Sequence, residues 1–95
     1  MPRYLIVRKF SVTEDEMPRI GRKSKVVGQA IPGIVWEHSH VVVDDSGMAG
    51  TYCVYEAPDE ETVRAHAEKL GSHTVTLLLE IAGDVTPADF PPVAA

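Results

Sequence analysis

The most constraining feature of this chain is the order in which segments with strand and helix periodicity follow one another. Alternation at every second position predicts four strands, which cover residues 4–10, 34–43, 51–57 and 74–81. Apolar residues at helical spacing predict a first helix within residues 11–29 and a second helix that opens at residues 58–61 and ends at Gly71. The predicted order is therefore β-α-β-β-α-β.

An α+β chain with this order has the split βαβ, or ferredoxin-like, topology, in which a four-stranded antiparallel sheet carries two helices on one face. The 95 residues suffice for one domain. We expect residues 1–82 to form that domain. Residues 83–95 hold three prolines and little pattern, and they predict a C-terminal tail that either extends into solvent or reaches a partner.

A proline decides where the first helix begins. A capping-box pattern at Thr13 and Glu16 would place Pro18 at the fifth helical position, where it removes a hydrogen bond and clashes with the preceding turn. A later start puts Pro18 in the first turn, where proline is favoured. The main helix is therefore predicted from about Met17.

One face of the predicted sheet lacks a cover, because both helices lie on the other face. Alternation along the second strand places Trp36, His38, His40 and Val42 together, and the turn residues at 44–50 predict a hairpin loop after it. Uncovered apolar surface of this kind usually marks an interface. We expect a homodimer in which two open sheet faces stack about 10 Å apart around a two-fold axis.

Composition excludes several classes of partner. With a formal net charge of −5 the chain gains nothing from phosphate counterion release, so nucleic acid is not expected as a partner. The basic residues between positions 19 and 25 predict a solvated helix face, with an anion or membrane contact as the alternative. No apolar stretch approaches the roughly 20 residues of a membrane helix. The single cysteine, Cys53, forms no disulfide within the chain and fits a reducing cytoplasm.

A pair of histidines is the most distinctive candidate for chemistry. His38 and His40 are two residues apart on a predicted strand, so both side chains point to one face, about 6.5–7 Å apart along the strand. Imidazoles at that spacing either contact solvent as ordinary polar residues or share a metal ion, and neutral imidazole suits nickel, copper and zinc.

Three further residues complete the list of candidates. His66, midway along the second helix, is either an amphipathic edge residue or a metal ligand or general base. Cys53 is either a small buried hydrophobic residue or a soft metal ligand, and Glu56 is a possible oxygen donor. The fourth histidine, His73, reads as a loop residue. The chain contains no phosphate-binding loop, nucleophile elbow or two-cysteine metal motif.

Several segments resemble a family of small bacterial nickel-binding ferredoxin-like proteins, long catalogued as a domain of unknown function. The similarity covers roughly residues 1–82, and its segments are residues 1–6, 35–39, 51–61 and 64–67. The block Tyr-Cys-Val-Tyr-Glu-Ala-Pro at residues 52–58 is the most specific of them. The resemblance implies a nickel-binding ferredoxin-like dimer, with His38, Cys53, Glu56 and His66 at matching positions.

The chain departs from the family pattern at three places. His40 stands where relatives often carry an aromatic residue, the hairpin loop at residues 44–50 is longer, and the first helix is rich in lysine and arginine where relatives are rich in alanine. These departures affect which metal the site would bind and how its ligands would be arranged, but they do not affect the predicted fold.

Three functions follow as hypotheses. The first is a transition-metal protein for buffering or sensing, which binds nickel, or alternatively zinc or copper, through His38, His40, His66, Cys53 and Glu56. The second is an enzyme without a cofactor that resembles the small dimeric α/β-barrel monooxygenases and isomerases, with His38 or His66 as general base toward an apolar small molecule. The third is a partner-binding module. The first two hypotheses both expect His38 and His66 to line one cavity.

Overall fold

The computed structural model describes residues 1–92 and confirms the β-α-β-β-α-β order. Its elements are β1 (Arg3–Thr13), α1 (Met17–Gln29), β2 (Val35–Val43), β3 (Met48–Glu56), α2 (Glu60–Leu70) and β4 (His73–Glu80). Short 3₁₀ turns precede α1 at Glu14–Glu16 and follow β4 at Pro87–Asp89. Residues 93–95, the last of the predicted tail, lie outside the described residues.

The four strands form one antiparallel sheet in the order β2-β3-β1-β4, which is the ferredoxin-like arrangement. Both helices cover the same face of this sheet. Buried residues of the central strands pack there against each helix, as Phe10 does with Ile20 of α1 and Leu70 of α2. Ile6, Tyr55 and Val63 form the second part of the same core.

The helices begin where the sequence predicts. α1 starts at Met17 with Pro18 in its first turn. At α2 the Asp59 carboxylate accepts a hydrogen bond of 2.8 Å from the backbone N–H of Thr62, which caps the helix, and Gly71 ends it with a φ of 65°. Among residues 1–92 no helix has the length and apolar character needed to cross a membrane.

The pairing register shifts at three places in the described sheet, and one of these shifts changes which of the predicted site residues share a face. The pairing of β2 with β3 shifts between Trp36 and His38, so that Glu37 is the extra residue and Trp36 turns toward the helix-covered side, where it stacks on Tyr55. The prediction that Trp36 shares a face with His38 and His40 is therefore wrong. A similar shift occurs between β1 and β4. Val7 pairs with Leu77 and Arg8 pairs with Val75, so Thr76 is the extra residue of β4.

The hairpin between β2 and β3 is shorter than predicted. Residues 48–50 were expected in the loop, yet β3 begins at Met48 and Ala49 pairs with Val43. The side chain of Asp44 explains the difference, because its Oδ1 accepts hydrogen bonds from the backbone N–H groups of both Ser46 and Met48. This closes the turn within residues 44–47, where Gly47 has a φ of 86°.

Candidate functional site

The residues predicted as metal ligands are divided between the two faces of the sheet. His38 pairs with Val54 and His40 with Tyr52, which places both histidines on the open face together with Glu56. Cys53 lies between these positions on β3 and points to the opposite, helix-covered face, where His66 of α2 packs on Tyr55. Within one chain His38 and His66 therefore line different surfaces, and the expectation of one shared cavity is wrong.

The open face carries an exposed histidine pair. The ring centroids of His38 and His40 are 5.5 Å apart, with the rings nearly perpendicular at 79°. Both residues are exposed. Glu56 lies on the same face but pairs with Val35, at the far end of β2 from His40. Within the described part of the chain no group of three or more histidine, cysteine or acidic side chains is placed to hold a metal ion.

Cys53 belongs to a short chain of polar contacts inside the domain. The indole N–H of Trp36 donates to Ser39 Oγ at 2.8 Å, and Ser39 Oγ in turn lies 2.9 Å from the sulfur of Cys53. The thiol donates to Thr51 Oγ1 at 3.2 Å. With an exposed fraction of 3%, Cys53 is a buried free thiol whose contacts are already satisfied.

His66 is completely buried and both of its ring nitrogens are engaged. Nδ1 lies 3.1 Å from Nη2 of Arg8, and since an arginine only donates, Nδ1 is the acceptor. Nε2 therefore carries the proton and donates to the backbone carbonyl of Ser24 at 3.2 Å. Burial, followed by the nearby charge of Arg8, lowers the pKa of His66 to about 4. In this arrangement His66 is a neutral connector between β1 and α1 and offers no free lone pair for a general base.

Arg8 is the least expected residue of the covered face. It lies on β1 between Ile6 and Phe10, and only 2% of it is exposed. Its guanidinium carbon sits 5.4 Å from the centre of the Tyr55 ring, in the range of a cation–π contact. Its Nε is buried and has no hydrogen-bond partner among residues 1–92.

Tyr55 joins this network to the first helix. Its hydroxyl lies 3.4 Å from Ser24 Oγ, which is also 3.4 Å from Nε2 of His66. Burial raises the pKa of the Tyr55 phenol, an effect that the charge of Arg8 partly opposes. The phenol is therefore a neutral donor and acceptor at neutral pH.

A cleft opens beside this network, between α1 and the half of the sheet formed by β2 and β3. Its inner part is a cavity of about 190 Å³, lined by Arg8 and by apolar side chains that include Phe10, Met17 and Ile20. The outer part, about 580 Å³, is more open, and it meets the inner part at Ser24, Trp36 and Tyr55.

Sequence reasoning missed Arg8 as a functional residue, although a signal was present. Tyr4, Ile6, Arg8 and Phe10 share one face of β1, and the other three are aromatic or aliphatic. A charged side chain on an otherwise apolar strand face is rarely buried without a specific reason. The position of His66 near Arg8 depends on how α2 packs, which no local pattern encodes.

These features define a class of protein, namely a small ferredoxin-like α+β domain with exposed histidines on one sheet face and a buried arginine beside a cleft on the other. The chain belongs to the family of nickel responsive proteins described as SCO4226-like, whose model matches residues 4–81. The family resemblance found in the sequence is thereby confirmed. No curated protein sequence matches the chain.

Two solved structures support the fold. The crystal structure of SCO4226 from Streptomyces coelicolor A3(2) superposes with a TM-score of 0.64 at 23% identity, covering 87% of this chain and 99% of that one. A de novo designed protein, Foldit4, superposes with a TM-score of 0.59 at 11% identity, covering 88% of this chain and all of the designed one. At these identities the similarity shows the fold alone.

Proposed function

We propose that this protein responds to nickel by binding the ion directly, through the imidazoles of His38 and His40 on the open sheet face. The observation that carries the proposal is the 5.5 Å separation of the two rings, in a member of a family described as nickel responsive. Both histidines are exposed, so a metal ion reaches them without any rearrangement of the core.

The separation of the rings suits a shared ion. A ring nitrogen binds a metal at about 2.0–2.1 Å, which puts the ring centroid about 3.2 Å from the ion, so two neighbouring ligands have centroids about 4.5–5.2 Å apart. The observed separation of 5.5 Å is slightly larger, and a modest rotation of either side chain would bring one nitrogen of each ring within bonding distance of the same ion. Imidazole is a suitable ligand for nickel, as it is for copper and zinc.

Two histidines leave further coordination positions to be filled, and a second copy of the chain is the proposed source. The open face presents exposed apolar side chains, with exposed fractions of 42% for Val42 and Leu77, 45% for Tyr52 and 56% for Leu79. Stacking two such faces around a two-fold axis would cover this surface. We propose the arrangement in which β2 of one copy lies opposite β2 of the other, because β2 is an edge strand and only this arrangement brings the two histidine pairs together, with up to four imidazoles.

The other predicted ligands have smaller parts in this proposal. Cys53 and His66 would have to give up their hydrogen bonds to Thr51 and Arg8, and turn away from the covered face, before either could bind an ion on the open face. Glu56 shares the open face and could add a carboxylate only from the far end of β2. The proposed ligands are accordingly His38 and His40.

The test is a calorimetric titration of the purified, untagged protein with nickel chloride, repeated for His38→Ala and His40→Ala. Loss of an outer-shell partner of a metal ligand typically costs 10–100-fold in affinity, so each direct-ligand variant should lose about a hundredfold. His73→Ala is the matched control, because His73 is the first residue of β4, and not the loop residue that the sequence predicts, and its Nδ1 donates to the carbonyl of Gly71. It should bind nickel like the unmodified protein.

Sedimentation of the same samples tests the second copy. We expect the nickel-bound protein to be a dimer. Each dimer should bind one nickel ion, which the two histidine pairs share. Nickel affinity that survives the double substitution of His38 and His40, or that falls equally in His73→Ala, would contradict the proposal. A monomer that binds nickel normally would contradict the role of the second copy only.

A further inference from the structure

Within residues 1–92, the covered face holds a positive charge, that of Arg8, with no counterion. Arg8 is 2% exposed, and none of the ion pairs found among residues 1–92 involves it. The buried Nε lacks a hydrogen-bond partner in the same part of the chain. An arginine side chain carries a positive charge and five N–H donors and has no acceptor, so this guanidinium needs acceptors around it.

The neighbours of Arg8 stabilise the charge only partly. His66 accepts one hydrogen bond as a neutral ring, and the Tyr55 ring provides a cation–π contact. Neither group carries a negative charge at neutral pH. Burial of a charge is costly unless the charge is paired and hydrogen-bonded, which leaves this guanidinium suited to an anion that arrives from outside.

The cavity beside Arg8 limits what that anion can be. Its inner part, about 190 Å³, has apolar walls at Phe10, Met17, Ile20 and Leu70. Thr51 and Ser39 line it as well. A cavity of about 150 Å³ is enough to hold a benzene ring. One guanidinium in a lining that is otherwise uncharged and mostly apolar fits a ligand with one negative group and one small apolar body.

We propose that the cleft between α1 and the sheet binds a small aromatic monocarboxylate, with the carboxylate on Arg8 and the ring between the apolar side chains. The aromatic character follows from the wall formed by Trp36 and Tyr55, whose rings are stacked at 6.5 Å and 22°. His66 is a positioning residue here, because it accepts a hydrogen bond from Nη2 and so holds the guanidinium of Arg8 in place at the cavity wall.

This site is separate from the proposed nickel site. His38 and His40 lie on the open face, whereas Arg8 and the cleft lie under the helices. Binding of a carboxylate and binding of nickel can therefore fail independently, and each has its own variants.

The experiment uses the intrinsic fluorescence of Trp36, the single tryptophan of the chain, which lines both parts of the cleft. The protein is titrated with benzoate, with the uncharged benzamide and with inorganic phosphate. We expect a saturable change with benzoate. Benzamide should bind about tenfold to a hundredfold more weakly, since it lacks the charge-assisted hydrogen bond, and phosphate should bind similarly weakly because it lacks the ring.

Gly21 gives a variant that tests the site while the core stays intact. It lies in α1 and lines the inner cavity, and a Cβ built at this position meets no atom within 4 Å. Gly21→Phe should fill the mouth of the cavity and abolish the benzoate response. Gly21→Ala is the matched control, because it also raises helix propensity over glycine but adds only one methyl group, and it should bind benzoate like the unmodified protein.

A direct test of the charge is Arg8→Met, which keeps an unbranched apolar stem and removes the guanidinium. If this variant folds, its benzoate affinity should fall to that of benzamide. If it does not fold, the comparison of benzoate with benzamide in Gly21→Ala and Gly21→Phe decides. Equal binding of benzoate and benzamide, no saturable response to benzoate, or an unchanged response in Gly21→Phe would each overturn the proposal.

Discussion

The two faces of the sheet carry the same residue types but differ in how far those residues are exposed to solvent. On the covered face, α1 and α2 bury Ile6, Tyr55 and Val63 almost completely. On the open face, Tyr52 and Leu79 remain about half exposed. Adjacent residues of one strand alternate between these environments, so the surroundings of a side chain change completely from one position to the next.

The contrast is clearest for histidine. His66 is buried on the covered face, its nitrogens are occupied by Arg8 and Ser24, and its pKa is lowered to about 4. His38 is exposed on the open face beside His40. A buried histidine of this kind stabilises the position of its neighbours, whereas an exposed pair is free to bind. Burial therefore separates a structural role from a ligand role more sharply than residue type does.

The largest expected effect on the free energy of unfolding comes from truncating a buried side chain of the covered face. Ile6 is fully buried, so Ile6→Ala should lower the free energy of unfolding by about 2–5 kcal/mol. Leu79→Ala, on the open face, should change it by less than about 0.5 kcal/mol in dilute solution, because Leu79 is 56% exposed. Urea unfolding of both variants measures the difference.

Protein concentration sharpens this comparison. If a second copy covers the open face, the cost of Leu79→Ala should increase with concentration, because association stabilises only the folded chain. The cost of Ile6→Ala should stay constant. A similar cost for both substitutions at every concentration would mean that the two faces do not differ as described.

The second effect is a dependence of the free energy of unfolding on pH, which comes from His66 on the covered face. The pKa of His66 is about 4 in the folded chain against 6.5 for the ordinary side chain, so between these values the unfolded chain binds more protons. The free energy of unfolding contributed by His66 is therefore fully present near pH 7 and is lost as the pH falls toward 4. The loss should be about 3 kcal/mol.

His66→Gln isolates this contribution, because glutamine keeps a donor and an acceptor but does not titrate. Urea unfolding between pH 7 and pH 4 should show a steeper loss of stability in the unmodified protein than in the variant. The acidic groups titrate in both proteins and cancel in the difference. Parallel curves would show that His66 is not held neutral by its surroundings.

Much of the fold could be predicted because its signals are local. The strand alternation, the position of Pro18 and the acidic start of α2 at residues 58–61 each depend on a few neighbouring residues, and the order of elements then selects the topology. The β-bulge at Glu37 could not be predicted, since it depends on how β2 pairs with β3. That one extra residue placed Trp36 on the covered face.

The candidate site was predicted less well for a related reason. The His38 and His40 pair needs only the two-residue period of a strand, and the structure places both residues on one exposed face. The grouping of His66 with His38 required knowledge of which face α2 covers. The link from Arg8 through His66 to Ser24 joins β1, α2 and α1, which are far apart in sequence and meet only after folding.

The smallest expected effect compares two neighbours on β2. Ser39 accepts from the Trp36 indole and contacts Cys53 on the covered side, so Ser39→Ala should lower the free energy of unfolding by about 1 kcal/mol. His40 is exposed on the other side, and His40→Ala should stay within about 0.5 kcal/mol. Nickel titration should give the reverse order, with binding kept in Ser39→Ala and lost in His40→Ala. If a single substitution changes stability and nickel binding together, the two faces are coupled through β2, and the separation of structure from binding at these adjacent positions would have to be abandoned.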